Sequence, residues 1–246
     1  MPPTLFISDL HLSHDRPALV EAFHALLAGP VREAAALYVL GDLFDAWLGD
    51  DQLRDPLAAG VAAALAASAD AGVRIYLQRG NRDFLLGERF ARAAGATLLP
   101  DAVVHPLHGK PTLLMHGDQL CTGDVKYQRY RSWWADPAHR RHFLALPYFA
   151  RRGIGAVLRG ASRRANLGKA ERIMDVSTDA VAAALREHRV DRLIHGHTHR
   201  PARHEIIVDD VPRERLVLAD WYDRASYLRV SEGGSEALAF EGAAGR

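Results

Sequence analysis

Short apolar runs, separated by longer amphipathic or Ala-rich stretches, organise the first half of the chain. Leu5-Phe6-Ile7-Ser8 predicts a buried strand and residues 17–27 a helix. Leu37-Tyr38-Val39-Leu40 predicts the next strand, followed by an Ala-rich helix over 56–69. A third strand is expected at 73–77 and a third helix at 84–94. This β-α-β-α rhythm predicts an α/β layered fold with a sheet at its centre. Two more short strands are expected at 103–107 and 112–115. The last third shows strand patterns at 192–195, 205–208, 216–218, 227–230 and 237–240, which read as an antiparallel sheet. The expected whole is two sheets packed face to face with helices outside.

From Cys121 to Gly168 the strand pattern stops. Aromatic residues alternate with arginines there, and Gly153, Gly155 and Gly160 interrupt an otherwise helical pattern. The expectation is one domain over 1–246, carrying a helical insertion at about 122–168 that acts as a lid.

Composition sharpens this. With 246 residues, 48% hydrophobic and 25% charged, the chain has the profile of a globular protein with a sizeable core. The single cysteine, Cys121, excludes an internal disulfide framework and is expected to be a buried, packed residue. No signal peptide is expected, because the N-terminus meets Asp9 and His11 before an apolar run develops. The uncharged stretch 56–69 is too short to span a bilayer. The expected compartment is cytoplasmic.

The net charge of +1 conceals an asymmetry. Between Lys126 and Arg172 stand twelve Lys and Arg against only Asp136 and Glu171, about +10, which leaves about −9 for the remainder. Basic side chains mixed with Trp, Tyr and Phe suit a surface attracted to anionic lipid headgroups. A solvated basic helical pair and a single-strand nucleic-acid groove are the other readings of the same composition.

The chemistry collects at strand ends. Asp9 and His11 follow the first predicted strand, Asp42 the second, and Asn81, Arg82 and Asp83 the third. His116 follows a later strand, and His195-Gly196-His197-Thr198-His199 closes another. In layered α/β folds such strand ends converge on one rim, where binding sites sit. Singly, these pieces read as turns or packed histidines; in order, each ending a strand, they point to one site. Oxygen and imidazole donors without thiolate suit a pair of Mn, Fe or Zn ions, with a carboxylate such as Asp42 able to bridge them. Asp45, Asp50 and Asp51 read as a solvated turn, and Trp221-Tyr222 as packing near a sheet end. His24, His105, His108, His139, His142, His188 and His204 read as surface or supporting residues.

Asp9-x-His11, Gly41-Asp42, Gly80-Asn81-Arg82-Asp83, His116-Gly117-Asp118 and Gly196-His197-x-His199 resemble the ordered motif blocks of the calcineurin-like metallophosphoesterases. The resemblance implies a four-layer α-β-β-α sandwich of two mixed sheets. It also implies one metal held by Asp9, His11, Asp42 and His199, and another by Asp42, Asn81, His116 and His197. His195 has no ligand role in that pattern and is expected to hydrogen-bond behind the site or to pack. Many members carry His where Arg82 stands here. A guanidinium stabilises phosphate charge but donates protons poorly, so the leaving group should be one that needs little protonation, such as a phosphate released from a pyrophosphate.

Ser8 to Ser13, Asp124-x-x-Tyr127-Gln128, Ile173-Met174-Asp175-Val176 and Asp220-Trp221-Tyr222 resemble one branch closely, the UDP-2,3-diacylglucosamine diphosphatases of Gram-negative lipid A biosynthesis. That resemblance implies two Mn2+ ions, and hydrolysis of the pyrophosphate of a UDP-diacylglucosamine lipid to UMP and the diacylglucosamine 1-phosphate. Asn81, Arg82 and His116 would be catalytic. Asn81, Arg82, Asp124, Ser162, Asn166, Lys169 and His197 would contact substrate. The expected partner is an anionic membrane surface, with the protein peripheral on the cytoplasmic face of the inner membrane and no nucleic acid bound. A broad-specificity phosphodiesterase or nuclease, and a non-catalytic lipid-binding scaffold, are the rival readings.

Overall fold

Two sheets alternate with helices in the computed structural model, which describes the backbone over 1–166, 175–222 and 224–240. In the first sheet β1 (Thr4–Ile7), β2 (Ala36–Leu40), β3 (Arg74–Gln78) and β4 (Ala96–Leu98) run parallel, and β10 (Ala225–Ser231) and β11 (Gly234–Phe240) extend it antiparallel beyond β1. In the second sheet the order is β5 (Ala102–Leu107), β6 (Lys110–Met115), β7 (Arg192–His195), β9 (Val211–Val217) and β8 (Ala202–Val208).

The alternation of side chains along each strand builds four layers. Leu5, Ile7, Leu37 and Val39 face outward to helices α1 (Pro17–Ala28), α2 (Pro56–Asp70) and α3 (Glu88–Ala93). Their neighbours Phe6, Tyr38 and Leu40 face inward, against Leu114 of β6 and Ile194 of β7. Leu113, Met115 and Leu193 on the far side of the second sheet pack on Val181 and Leu185 of α7 (Thr178–Glu187). The period of two along a strand thus places each residue in one apolar layer or the next. The observed layers are helix, sheet, sheet, helix.

Local signals start the helices. Asp55 caps α2, accepting the Leu57 N–H at 2.9 Å, and Pro56 occupies the first turn, where its missing donor costs nothing. The third helix starts at Glu88 rather than 84, because the chain turns at Phe84 and Leu85 and Gly87 is extended. The short strand β4 and helix α7 had no counterpart in the sequence reading.

The expected antiparallel C-terminal sheet is corrected. β7 pairs parallel with β6, because α7 crosses over between them and returns the chain in the same direction, and parallel with β9, because β8 runs back at the sheet edge and its hairpin places β9 beside β7. β10 and β11 leave that sheet altogether and pair with β1 of the other.

The segment after Cys121 folds as α4 (Val125–Ala135), α5 (Pro137–Leu144) and α6 (Tyr148–Asn166). Asp124 and Asp136 cap α4 and α5, accepting from Tyr127 N at 3.1 Å and Ala138 N at 2.7 Å. Trp134 and Phe143 are buried, their ring centroids 4.9 Å apart, and Trp134 lies 4.6 Å from Phe84. This aromatic cluster joins the helices to the core cluster under α3.

Candidate active site

Every residue expected to hold metal sits in a loop leaving the C-terminal end of a strand. Asp9 and His11 follow β1, Asp42 follows β2, Asn81 follows β3, His116 follows β6, and His197 and His199 follow β7. The loops are laced together: Asp9 N donates to Gly41 O at 3.1 Å, His11 N to Asp42 O at 3.0 Å, and Gly196 N to His116 O at 2.8 Å. Asp9, His11, Asp42, His197 and His199 account for five of the nine non-glycine residues with positive φ among the described residues. Such left-handed backbone is costly for residues with a Cβ and gathers at functional sites. Two glycines make the close approach possible. A Cβ on Gly80 would strike the Asp42 carboxylate, and one on Gly196 would strike Ser8 and Asp9.

Two clusters result. Asp9, His11 and His199 bring ligand atoms within 4.8 Å of one another, and so do Asp9, Asp42 and His116. Asp42 stands between them, with Oδ2 3.9 Å from His11 Nδ1 and Oδ1 3.8 Å from His116 Nε2. Asn81 Oδ1 completes the second cluster, 3.0 Å from His116 Nε2 and 2.8 Å from His197 Nδ1. Asp9 belongs to both clusters, whereas the motif blocks alone place it in one. Its Oδ2 accepts from Ser8 Oγ at 2.6 Å and from His197 N at 2.8 Å.

The electrostatics are those of carboxylates crowded out of water. Burial pushes the Asp42 carboxyl up to about 8, against the pull of His116 and with the repulsion of Asp83 and Asp9 adding to it. Burial also opposes charge on His116, but Asp42, Asp9 and Asp118 outweigh it and raise the ring to about 9. His11 is lowered to about 4 by burial, helped by the charges of His199 and Arg82. His197 is lowered to about 4, by burial first and then by His116. Asp9 Oδ1 has only the His199 ring beside it, with Nε2 3.3 Å away, and His11 Nδ1 makes no hydrogen bond within the described residues. Orphaned polar atoms in an oxygen and imidazole donor set are what a divalent-cation site needs, and the residues present fit such ions. Cys121 offers no thiolate, since burial and then Asp118 push its thiol up to about 12.

The supporting contacts fix orientation. His116 Nδ1 lies 2.9 Å from Leu40 O; donating there, it leaves Nε2 facing Asn81 and Asp42. Asp83, fully buried, accepts from Gly80 N at 2.7 Å and Leu43 N at 2.8 Å, bracing the loops after β2 and β3 against each other. The Arg82 N–H donates to Asp42 Oδ1 at 2.8 Å. Asp118 accepts from Arg131 Nε at 2.9 Å and from the Tyr127 hydroxyl, tying α4 to the loop after His116. These roles of Asp83 and Asp118 were not read from the sequence, although the carboxylate closing each motif block was the available signal.

His195 is buried behind the site, with Nδ1 hydrogen-bonded to Gly196 O at 2.8 Å and Nε2 without a hydrogen bond among the described residues, in line with its expected supporting role. Other expectations meet the structure differently. Asp50 and Asp51 do not form a solvated turn. Asp50 accepts from Gly87 N at 2.9 Å, Arg89 N at 2.9 Å and Phe90 N at 3.1 Å, and Asp51 pairs with Arg151. The reason is tertiary, because the start of α3 has no capping side chain of its own and borrows Asp50. Trp221 packs in the core, but Tyr222 is 58% exposed, its ring 5.7 Å from that of His199 and 6.1 Å from that of His11. Lys169 and the side chains of Ser162 and Asn166 lie outside the described residues.

Residues 2–201 match the calcineurin-like phosphoesterase family. UDP-2,3-diacylglucosamine hydrolases from Escherichia fergusonii and Shigella sonnei are 49% identical over 237 residues, covering 96% of this chain and 98% of theirs. Among solved structures, an archaeal phosphodiesterase aligns over 96% of this chain and 99% of its own, at 11% identity and a TM-score of 0.47. With its motif blocks at five strand ends and the match spanning most of its length, the chain belongs to the calcineurin-like phosphoesterase family.

Proposed function

We propose that the chain hydrolyses the pyrophosphate bond of UDP-2,3-diacylglucosamine, releasing UMP and 2,3-diacylglucosamine 1-phosphate. The observation that carries this reading is Asp42, whose oxygens look to His11 and to His116 while one of them also holds the Arg82 peptide. One carboxylate thus ties both clusters to the turn that bears a fixed cation. The hydrolases at 49% identity over nearly the whole chain support the substrate.

Asp9, His11, Asp42 and His199 would hold one divalent cation, and Asp42, Asn81, His116 and His197 a second, with Mn2+ as the ion assigned to both. Bound there, such ions supply water activated for attack and neutralise phosphate charge. The chain's own residues do the rest. Arg82 stabilises the charge that builds on the attacked phosphate, and a phosphate leaving group takes no proton from it. His116, held through Nδ1 by Leu40 O, keeps Nε2 for the second cation, and Asn81, whose Oδ1 faces the same cluster, has its amide NH2 left for the reacting phosphate. Asp124, Ser162, Asn166, Lys169 and His197 orient the sugar and phosphates.

The helical segment 122–168 acts as a lid and as the face toward the membrane. Phe149 and Val157 of α6, 78% and 72% exposed, stand in a strongly basic stretch, which suits peripheral docking on an anionic cytoplasmic leaflet. No helix among the described residues is long and apolar enough to cross a membrane.

One assay tests the reading. The protein is incubated with UDP-2,3-diacylglucosamine, with bis(p-nitrophenyl) phosphate or with single-stranded DNA, in Mn2+ or in chelator. UMP release from the first, dependent on Mn2+, is expected. Cleavage of only the simple diester or of DNA would make the protein a general phosphodiesterase or a nuclease. Vesicle binding without any hydrolysis would make it a lipid-binding scaffold.

A further inference from the structure

Arg151 is out of place on its helix. α6 lies in a basic, solvent-facing segment, yet Arg151 is only 2% exposed. Its Nε donates to Leu146 O at 3.0 Å, one terminal nitrogen donates to Leu48 O, and the other pairs with Asp51. A buried charge is costly unless paired and hydrogen-bonded, and this one has both a carboxylate and two carbonyls. The planar fork is what serves three acceptors at once, which an ammonium on a flexible stem does not.

The loop that receives it is shaped for it. Gly49 has φ +127°, and a Cβ there would collide with the guanidinium. A Cβ on Gly155, one turn along α6, would come within 2.7 Å of Leu48. The other side of the same loop meets the active site, because the Trp47 N–H donates to Arg82 O at 3.0 Å. Asp50 then accepts from Trp47 Nε1 at 3.1 Å and from Gly87 N at 2.9 Å. Residues 47–51 therefore have α6 on one side and the 80–87 turn on the other.

We propose that Arg151 is a positioning residue. It clamps α6 to the 48–51 loop and, through the Trp47–Arg82 backbone bond, sets where Arg82 stands. Docking of the helical segment and alignment of the phosphate-binding turn become one event. The catalytic half of this inference rests on the function proposed above; the structural coupling does not.

The test uses the full chain with Mn2+, as wild type, Arg151→Gln, Arg151→Lys, Arg82→Ala and the double variant Arg151→Gln/Arg82→Ala. Hydrogen exchange read by mass spectrometry should rise about tenfold in Arg151→Gln, in the peptides covering 147–157 and in those covering 80–86 together. Arg151→Lys should recover part of the protection. Per folded protein, kcat on UDP-2,3-diacylglucosamine should fall on the order of tenfold with KM changed less. That loss should vanish in the Arg82→Ala background, since a residue acting through Arg82 has nothing left to position. Exchange that rises only over 147–157 overturns the proposal, and so do losses that multiply in the double variant. If wild type releases no UMP, the proposed function fails, and the exchange data alone decide the coupling.

Discussion

The Arg82 peptide N–H donates to Asp42 Oδ1 at 2.8 Å, so the turn that carries the site's cation hangs on the carboxylate standing between His11 and His116. This bond joins the Arg82 turn to the two candidate metal clusters, and Asp83 locks it from behind by accepting the Gly80 and Leu43 N–H groups.

Asp42→Ala should lose both divalent ions and, with them, all turnover. Elemental analysis of the purified variant beside its UMP release checks this. Near-wild-type activity at controlled metal content would sink the two-ion reading.

Arg82→Ala should lower kcat about a hundredfold, the usual effect of removing a group aimed at developing charge. Because a guanidinium does not titrate near neutral pH, the pH–rate profile between about 6 and 9 should keep its shape while its height falls. A lost basic limb would instead make Arg82 a proton donor.

Asp50→Ala should cost about 2 kcal/mol, since it removes the borrowed acceptor from the start of α3 and leaves the N–H groups of Gly87, Arg89 and Phe90 without it. Calorimetry should show Tm lower by about 4–8 °C, with the metal content unchanged.

His105 should contribute to acid sensitivity. Its Nδ1 lies 2.7 Å from the Tyr38 hydroxyl, and burial, then the charge of Arg74, lower its pKa below 6.5. A histidine depressed on folding stabilises the protein above its unfolded value, and that contribution is lost as pH falls through 6.5 toward the folded value. His105→Phe should therefore flatten the decline of Tm below pH 6.5. An unchanged slope would remove His105 from the account.

Phe149→Asp and Val157→Asp should weaken co-sedimentation with vesicles containing anionic lipid while leaving Tm unchanged, because both side chains face solvent. Wild-type binding should also fall as salt rises. Binding that ignores both charge and salt would place the membrane contact elsewhere.

Much of the site was legible along the chain because its signals are local. An apolar run followed at once by Asp, Asn or His marks a strand end with a donor on it, and Asp9, Asp42, Asn81 and His116 all sit where that rule puts them. The layer of each strand residue was legible in the same way, since Leu5 and Phe6 must face opposite sides of a sheet. The direction of β7 was not, because strand pairing is decided by partners distant in the chain.

By itself the sequence determined the donor set, the strand ends that carry it, the basic helical segment and the family. The tertiary structure alone decided that Asp9 enters both clusters, that Asp50 caps a helix far along the chain, that Tyr222 stands at the mouth of the site, and that Asp51 meets Arg151. Periodicity and turn chemistry act over a few residues and leave a trace in the sequence. Asp51 and Arg151 are 100 residues apart, and only the packing of α6 against the 48–51 loop turns two ordinary surface charges into an ion pair with its guanidinium buried.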